Sequence, residues 1–271
     1  MQQIRQPAVA GSFYPAQAPV LSGELIAMLE AAQASGDSTA VVPKALIVPH
    51  AGYIYSGSTA ALAYASVAPA RAIIRRVILL GPVHRVPVRG LALSDALFFA
   101  TPLGSIPVDQ EAQASLSKLR QVVCSRQAHA LEHSLEVQLP FLQTVLDDFQ
   151  LVPLAVGDAT PAEVAEVLEV LWGGPETLIV VSSDLSHFLP YSGAQTVDHA
   201  TVQAILAMKP HISHEQACGG TPINGLLLAA RGHQLHPHLL RLSNSGDTAG
   251  DKGRVVGYAS IAFTGAQHVA H

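Results

Sequence analysis

Apolar runs of strand length alternate with helix-length segments along this chain. The apolar runs predict strands at 44–49, 75–81, 90–95, 150–156, 177–182, 238–243 and 255–263. The intervening segments predict helices at 20–33, 56–67, 109–120, 131–147, 161–172, 195–207 and 220–231. Continuously apolar strands separated by helices indicate a mixed, largely parallel sheet with helices on both faces. Because no repeat or linker divides the chain, we expect a single α/β domain over residues 1–271.

The composition agrees with such a domain and narrows the classes of partner. Of the 271 residues, 49% are hydrophobic and only 13% are charged, which supplies a sizeable core. The formal net charge of −5 and the lack of a Lys/Arg cluster argue against a nucleic-acid groove. No apolar run approaches the roughly 20 residues of a membrane helix, and the first residues lack the pattern of a signal peptide. We therefore expect a soluble cytoplasmic protein with neither nucleic acid nor membrane as a partner.

Histidine is the unusual feature of the composition, with 13 residues. Two histidines follow predicted strands, His50 in "LIVPHAGYIYSG" and His84 in "VILLGPVH", and ligands bind beyond the carboxyl ends of such strands. A lone histidine there is usually structural, but two after sharp strand ends indicate a pair of metal ligands. Neutral imidazole suits Fe, Zn, Cu and Ni, so the metal stays open. Five other histidines are expected to be solvated in loop-like or terminal sequence: His233, His236, His238, His268 and His271.

A third strand end carries the sequence "SSDLSH". Asp184 and His187 lie three residues apart, just after the predicted strand 177–182. The serines and the aspartate are typical of a capped turn between a strand and a helix. The same residues also suit an acid/base histidine that nearby polar groups orient. The local sequence supports both interpretations equally.

The segment "HALEHSLEVQLPFL" is predicted to lie in the helix 131–147. Glu132 and Glu136 are four residues apart, as are His129 and His133, so each pair shares a helix face. The HExxH order of a zinc-binding helix is absent, because Glu132 precedes His133. We interpret His129 and Glu136 as the polar face of an amphipathic helix. Glu132 and His133 remain candidates for the site because they lie near the helix start.

The two cysteines receive different interpretations. Cys218 in "ACGGTPINGLL" precedes a predicted helix, where a thiol has a lowered pKa, whereas Cys124 in "VVCSRQ" is interpreted as buried and inert. A metal site would combine His50, His84 and the Cys218 thiolate, with open positions. A cysteine hydrolase would instead pair Cys218 with a histidine base and use the Gly219 and Gly220 amides as an oxyanion hole. The local sequence leaves both chemistries open.

Five motifs resemble those of one known family. They are, in chain order, "PHAGYIYSG", "GPVHRVP", "EHSLEVQLPF", "SSDLSHF" and "CGGTPINGLL". Together they resemble the Memo family, whose prokaryotic members are called AmmeMemoRadiSam system protein B. "AGSFYPA" and "GYASIAFTG" extend the similarity over nearly the whole chain. The family looks like the LigB-type (class III) extradiol dioxygenases, which implies one α/β domain with its site at strand carboxyl ends.

The resemblance also implies roles for residues. His50 and His84 would bind the metal, and Cys218 would replace the glutamate ligand of the dioxygenases. His187 matches their acid/base histidine, with Asp184 beside it. Members of the family are linked to iron and copper, so Fe(II) is the expected cofactor and copper the second choice. Because a thiolate is itself oxidisable, ring cleavage does not follow from the fold.

We therefore expect a mononuclear, redox-active metal protein, an iron-dependent oxidoreductase of unknown substrate. Three residues would line its substrate pocket: His133, Glu132 and Tyr53. Its ligand would be a small molecule or a peptide, and the resemblance implies radical-SAM system proteins as partners. The alternative is a non-catalytic module that uses the same cleft for a peptide or protein. A metal-free cysteine hydrolase ranks third, because it leaves His50 and His84 without a role.

Overall fold

The computed structural model describes residues 3–34 and 41–265. In these residues the strands are β1 (Ile4–Arg5), β2 (Ala45–Val48), β3 (Arg76–Pro82), β4 (Leu91–Leu93), β5 (Phe98–Thr101), β6 (Gly104–Pro107), β7 (Val122–Cys124), β8 (Gln150–Val156), β9 (Thr177–Ser182), β10 (His187–Leu189), β11 (His236–Asn244) and β12 (Val255–Thr264). The helices are α1 (Ala18–Ala34), α2 (Tyr53–Ala65), α3 (Gln110–Ser115), α4 (Arg126–Ala130), α5 (His133–Glu136), α6 (Leu139–Val145), α7 (Pro161–Leu171), α8 (Tyr191–Leu206) and α9 (Gly220–Gly232).

The central sheet is mixed, with a parallel middle. Its strand order is β10-β12-β2-β9-β3-β8-β4-β7, and β11 pairs with β12. Strands β2, β9, β3 and β8 are mutually parallel, whereas β12 and β4 join them antiparallel on either side. The predicted fold class, an α/β domain with a largely parallel mixed sheet, is confirmed.

Continuous apolar strands are needed here because both faces of the sheet are covered. In β2, Leu46 and Val48 enter the core beneath α1, α2 and α6, while Ala45 and Ile47 enter the core beneath α7, α8 and α9. Side chains alternate between the faces of a strand, so every position must be apolar when both faces are buried. Each fully buried leucine or isoleucine contributes about 2 kcal/mol of hydrophobic stabilisation.

The predicted helix 131–147 is wrong as a continuous element. The structure breaks it into α5 and α6, with α4 before them. Leu131 ends α4, and Glu132 adopts an extended backbone with φ −78° and ψ 128°. In that position the Glu132 carboxylate accepts hydrogen bonds from the backbone N–H groups of His133 and Ser134, which caps α5. The break between α5 and α6 comes from Pro140 in the first turn of α6, which has no N–H to continue the hydrogen bonds of α5.

Five short strands were missed by the sequence pattern: β1, β5, β6, β7 and β10. β1, β5 and β6 form a separate small sheet, in which β5 and β6 are a hairpin and β1 pairs parallel to β5. β1 has only two residues, so no periodicity reveals it. His236 and His238 are exposed as expected, but they lie on β11 and not in a loop. His268 and His271 lie outside the described residues.

The topology brings three strand ends to one edge of the sheet. β2, β9 and β3 are neighbours and run parallel, so the residues after them converge. These are His50 after β2, Asp184 after β9 and His84 after β3. Among the described residues, no helix has both the length and the apolar character needed to cross a bilayer.

Candidate metal centre

Three imidazoles meet at the converging strand ends. His50, His84 and His133 each offer one nitrogen, and these nitrogens all lie within 4.8 Å of one another. The ring centroid of His50 lies 5.3 Å from that of His84 and 5.4 Å from that of His133. His50 is buried, His133 is half-buried and the His84 side chain is 29% exposed. The group is therefore accessible on one side and supported by the protein on the other.

The hydrogen bonds around His50 define its tautomer. The Ser182 hydroxyl donates its only proton to the Ser134 carbonyl oxygen at 2.6 Å and accepts from the Gln138 amide at 2.8 Å. The Gln138 amide oxygen in turn accepts from the Tyr64 hydroxyl. His50 Nδ1, 2.9 Å from Ser182 Oγ, must therefore carry the proton and donate it. This leaves the lone pair on Nε2 free for a metal ion.

His84 is oriented in the same sense by a carboxylate. Its Nδ1 lies 2.8 Å from Glu132 Oε1, and its backbone N–H donates to Glu132 Oε2 at 2.6 Å. Burial alone would raise the pKa of Glu132, but the hydrogen bonds from His84 and Ser134 lower it to about 2. The ionised carboxylate holds the Nδ1 proton of His84, so Nε2 is again the free nitrogen. Glu132, which is buried, thus orients His84 as a candidate metal ligand.

His133 completes the group but is held less firmly. Its Nδ1 is buried and accepts or donates no hydrogen bond in the described part of the chain, although Glu132 Oε1 lies 3.3 Å away. Burial and the neighbouring His84 lower the pKa of His133 to about 4, and burial holds the pKa of His50 well below its usual value. Both rings are therefore neutral at pH 7, which is the form that binds metals.

Cys218 lies beside this group, at the turn before α9. Its Sγ is 3.4 Å from His50 Nε2 and 3.6 Å from the Asp184 carbonyl oxygen. The expected low pKa is wrong for the metal-free protein, because burial and then Asp184 raise the pKa of Cys218 to about 12. The helix terminus does not offset the loss of water around the thiolate. A bound metal ion would reverse this, since it deprotonates the thiol that ligates it.

The oxyanion hole of a cysteine hydrolase is absent from this turn. The Gly219 N–H donates to Ser183 Oγ at 2.9 Å, and the Gly220 N–H donates to the Ala217 carbonyl oxygen at 2.9 Å. Gly219 is required for close approach, since a Cβ there would lie 2.6 Å from the Ser183 Cβ. Both amides are thus already used, which removes the main support for the hydrolase alternative.

Asp184 and His187 line the same cavity. Asp184 Oδ1 accepts a hydrogen bond from the His50 backbone N–H at 2.7 Å. Burial raises the pKa of Asp184 to about 7, and burial also lowers the pKa of the half-buried His187. The pair therefore includes a carboxyl group that exchanges its proton near neutral pH.

Both residues line a cavity of about 450 Å³, which we call the aromatic groove. Its lining includes His50 and His133, and four aromatic side chains form much of its wall: Phe13, Tyr55, Phe188 and Tyr258. Phe188 is 60% exposed and has a positive φ of 60°, which is strained for a residue with a side chain. Arg254 lies at this wall, with its guanidinium carbon 5.0 Å from the Phe188 ring centroid. Neither Phe188 nor Arg254 had a sequence signal.

Tyr53 is not part of this lining. It is 6% exposed, its hydroxyl donates to the Val137 carbonyl oxygen at 2.8 Å, and its ring packs 5.0 Å from that of Phe141. Tyr53 begins α2, so its side chain turns inward, while Tyr55 two residues later faces the groove. The sequence singled out the wrong tyrosine of this helix.

Three further assignments from the sequence need correction. Glu136 is fully buried, and its carboxylate accepts from the Arg5 guanidinium, from the Tyr14 hydroxyl at 2.6 Å and from two backbone N–H groups. His129 is 1% exposed, so neither residue forms a polar surface face. Cys124 is exposed on β7, at the edge of the sheet, and is not buried. Each of these assignments rested on local sequence, whereas the burial of a residue depends on the elements that pack against it.

The fold and the site define a class: an α/β protein with a histidine cluster, suited to a metal ion, at the carboxyl ends of parallel strands. A family model described as Memo-like protein matches residues 5–262. The chain belongs to this Memo-like family.

Curated relatives agree with this family assignment. A MEMO1 family protein of Ignicoccus hospitalis is 36% identical over 288 residues, covering 96% of this chain and 98% of its own. Those of Sulfolobus acidocaldarius and Archaeoglobus fulgidus are 36% and 35% identical, covering 96% of this chain and 99% of their own. A solved structure of an uncharacterized protein from Escherichia coli K12 is 15% identical, with a TM-score of 0.49, and covers 80% of this chain and 98% of its own.

Proposed function

We propose that this protein is a mononuclear metal protein that carries out redox chemistry with iron, or alternatively copper. The observation that carries the proposal is the arrangement of His50 and His84. Both rings direct Nδ1 toward protein acceptors and are left with Nε2 as the free nitrogen. Outer hydrogen bonds of this kind orient metal-bound histidines in proteins.

We assign Cys218 as the third ligand. Its Sγ is the non-imidazole donor that lies 3.4 Å from His50 Nε2. His133 is the other candidate, but its ring is stacked on that of His84, with centroids 4.6 Å apart and planes 30° apart. A metal ion lies near the plane of each imidazole that binds it, so stacked rings share an ion poorly. Two imidazoles and a thiolate suit Fe(II) and Cu(I).

The residues around the centre would act on a substrate in the aromatic groove. When bound, the metal would supply electron transfer to or from that substrate. The aromatic walls would bind an apolar or aromatic part of a small molecule or peptide and exclude water. His187 would exchange a proton with the substrate, and Asp184 could hold that proton near neutral pH because its pKa is about 7. Radical-SAM system proteins remain the proposed protein partners, on family resemblance alone.

The test is metal content and affinity in protein purified without oxygen and without a polyhistidine tag. His50→Ala, His84→Ala and Cys218→Ser should each lower Fe(II) affinity by about 100-fold or more. Loss of a residue that only orients a metal ligand lowers metal affinity by roughly 10- to 100-fold, and loss of the ligand itself should cost at least as much. His211→Ala, an exposed histidine outside the site, is the matched control and should bind normally. Circular dichroism should show the wild-type fold for every variant.

Three outcomes would change the proposal. If Cys218→Ser binds normally while His133→Ala does not, the third ligand is His133. If the wild type binds neither iron nor copper under any loading condition, the metal function is wrong, and a binding module becomes the better interpretation. If the metal binds but His187→Gln leaves the rate of oxygen consumption unchanged with an active substrate, His187 does not transfer the proton.

A further inference from the structure

Two separate grooves reach the candidate metal centre. The aromatic groove reaches His50 and His133 from one side. A second cavity, also of about 450 Å³, reaches His84 and Cys218 from another side, and His214 lies in its wall. We call this cavity the His214 groove. The two linings have no residue in common, so the donors of the centre form a wall between the grooves.

The His214 groove is lined by groups that bind metal ions. His214 is exposed, and its Nδ1 lies 3.3 Å from the Cys218 carbonyl oxygen, which fixes the imidazole beside that cysteine. Its Nε2 lies 3.3 Å from the Thr221 hydroxyl. Asp158, also exposed, adds a carboxylate to the lining, with Arg89 Nε 3.9 Å away. A cation entering here therefore meets a carboxylate and an imidazole before it reaches Cys218 and His84.

The outer wall of the aromatic groove is less suitable for a cation. It has four aromatic rings and the imidazole of His187, and the guanidinium of Arg254 adds a positive charge beside Phe188. Its outer carboxylate, that of Asp251, already accepts from the Gly253 backbone N–H. A hydrated cation must exchange its waters for protein donors as it is buried, because burying an uncompensated charge is costly. The guanidinium of Arg254 opposes a cation in the aromatic groove, whereas the lining of the His214 groove has a carboxylate and no cationic side chain. The aromatic groove is therefore better suited to an organic substrate.

We propose that the His214 groove is the metal entrance of this protein, and that His214 captures the incoming divalent or copper ion and transfers it to Cys218 and His84. The inference rests on the proposed metal function. The captured ion exchanges a water for His214 Nε2, and the Thr221 hydroxyl that donates to this nitrogen rotates away to solvent. The ion later exchanges the imidazole for the Cys218 sulfur, whose proton leaves to solvent. His214 is a transient ligand and is released once the ion is in place.

A transient ligand has a distinct kinetic signature. It lowers the barrier between free and bound metal without contributing to the bound state. Removing it must therefore slow association and dissociation by the same factor and leave the equilibrium dissociation constant unchanged. A resident ligand behaves differently, because its loss raises the dissociation constant through faster dissociation.

The experiment measures Co(II) loading of the full chain by stopped-flow absorbance, with release followed after adding excess chelator. Co(II) is the probe because its visible bands report a thiolate and imidazole environment. His214→Ala should slow both rates by about tenfold, which corresponds to losing one good interaction in the transition state. His211→Ala is the matched control, since it removes an exposed histidine three residues earlier. Arg254→Ala tests the other groove, and both control variants should load at the wild-type rate.

Each result has a defined meaning. Equal slowing of both rates with an unchanged dissociation constant supports the entrance. A raised dissociation constant for His214→Ala makes His214 a resident ligand and overturns the proposal. Unchanged rates for His214→Ala, or faster loading of Arg254→Ala, also overturn it, because the ion then enters elsewhere. If the wild type binds no Co(II), Fe(II) or copper, the metal function fails first, and the entrance fails with it.

Discussion

Removing the Ser182 hydroxyl tests how the His50 imidazole is oriented. Ser182→Ala leaves the buried His50 Nδ1 and one Gln138 amide proton without their acceptor. The proton of His50 is then no longer held on Nδ1, so we expect metal affinity to fall by about 10- to 100-fold. Affinity is measured by competition with a chelator, and the tautomer by the ¹⁵N shifts of His50. The control is Ser66→Ala, because Ser66 is another buried serine that donates to a backbone oxygen. This variant should keep the wild-type metal affinity and the wild-type His50 tautomer.

Asp184 should make the metal-free protein less stable as the pH rises. Its pKa is raised from 3.8 to about 7 by burial, so the folded protein holds this proton more tightly than the unfolded chain does. The contribution of protonated Asp184 to the free energy of unfolding is fully present below about pH 4 and is lost as the pH rises through about 7. The loss is at most about 4 kcal/mol, from 1.36 kcal/mol per pKa unit.

The measurement is urea unfolding of wild type and Asp184→Asn between pH 4 and pH 8. Asparagine keeps the acceptor for the His50 backbone N–H but has no charge to bury. The variant should therefore be more stable than the wild type at pH 8, with the difference shrinking toward pH 4. A difference that is constant over this range would contradict the assigned pKa.

At the residue scale, the sequence predicted the strand-end groups well and their supports poorly. His50, His84, Asp184 and His187 follow apolar strands, and that local signal suffices to place them at one edge of the sheet. Gln138 carries no such signal, because its importance comes from Ser182, 44 residues away in sequence. Interactions over such separations depend on the final packing, which no local pattern contains.

At the scale of the elements, the break between α4 and α5 has the largest effect on the site. Glu132 follows the end of α4, caps α5 and holds His84 at the same time. Glu132→Gln should keep one acceptor oxygen for the cap but lose the charge that holds the Nδ1 proton of His84. We expect metal affinity to fall by about 10- to 100-fold, and stability by about 1 kcal/mol from the weaker cap.

Glu163→Gln is the matched control for this prediction. Glu163 completes the capping box of α7, outside the centre, so its substitution should lower stability slightly and leave metal affinity unchanged. Thermal unfolding and chelator competition measure the two effects. Equal metal affinity for Glu132→Gln and wild type would show that the carboxylate charge does not support His84.

The elements of the central sheet were predictable because both of its faces are buried, which requires unbroken apolar runs. Strands 44–49 and 150–156 were predicted within one residue of β2 and β8. The helix break at Glu132 was not predictable, because the surrounding residues are compatible with a continuous helix. The capping bonds and the contact with His84 decide the conformation, and both involve a carboxylate that also suits a helix interior.

For the whole molecule, the buried ion pair of Arg5 and Glu136 joins the N-terminal segment to the site helices. Arg5 is 7% exposed and Glu136 is fully buried, and Arg5 also donates to the backbone oxygens of His129 and Glu132. Arg5→Ala leaves the Glu136 charge buried without its partner, which should cost about 3–5 kcal/mol. The pairing spans 131 residues, so no local pattern indicates it.

Chemical denaturation measures this cost, and an exposed pair supplies the control. Arg71 and Asp147 form an ion pair in which the side chains are 59% and 41% exposed. Arg71→Ala should therefore change stability by only about 0–1 kcal/mol. A loss of similar size in both variants would mean that Glu136 is not ionised or that the buried pair relaxes without penalty.

The exposed thiol of Cys124 gives this protein a natural attachment point for a spectroscopic probe. It lies on the edge strand β7, whereas burial raises the pKa of Cys218 to about 12 in the metal-free protein. Maleimide should thus label Cys124 much faster, which peptide mass spectrometry would show; equal labelling would contradict this assignment. A fluorophore or spin label on Cys124 would then report metal arrival by quenching or relaxation, with every proposed ligand left unmodified.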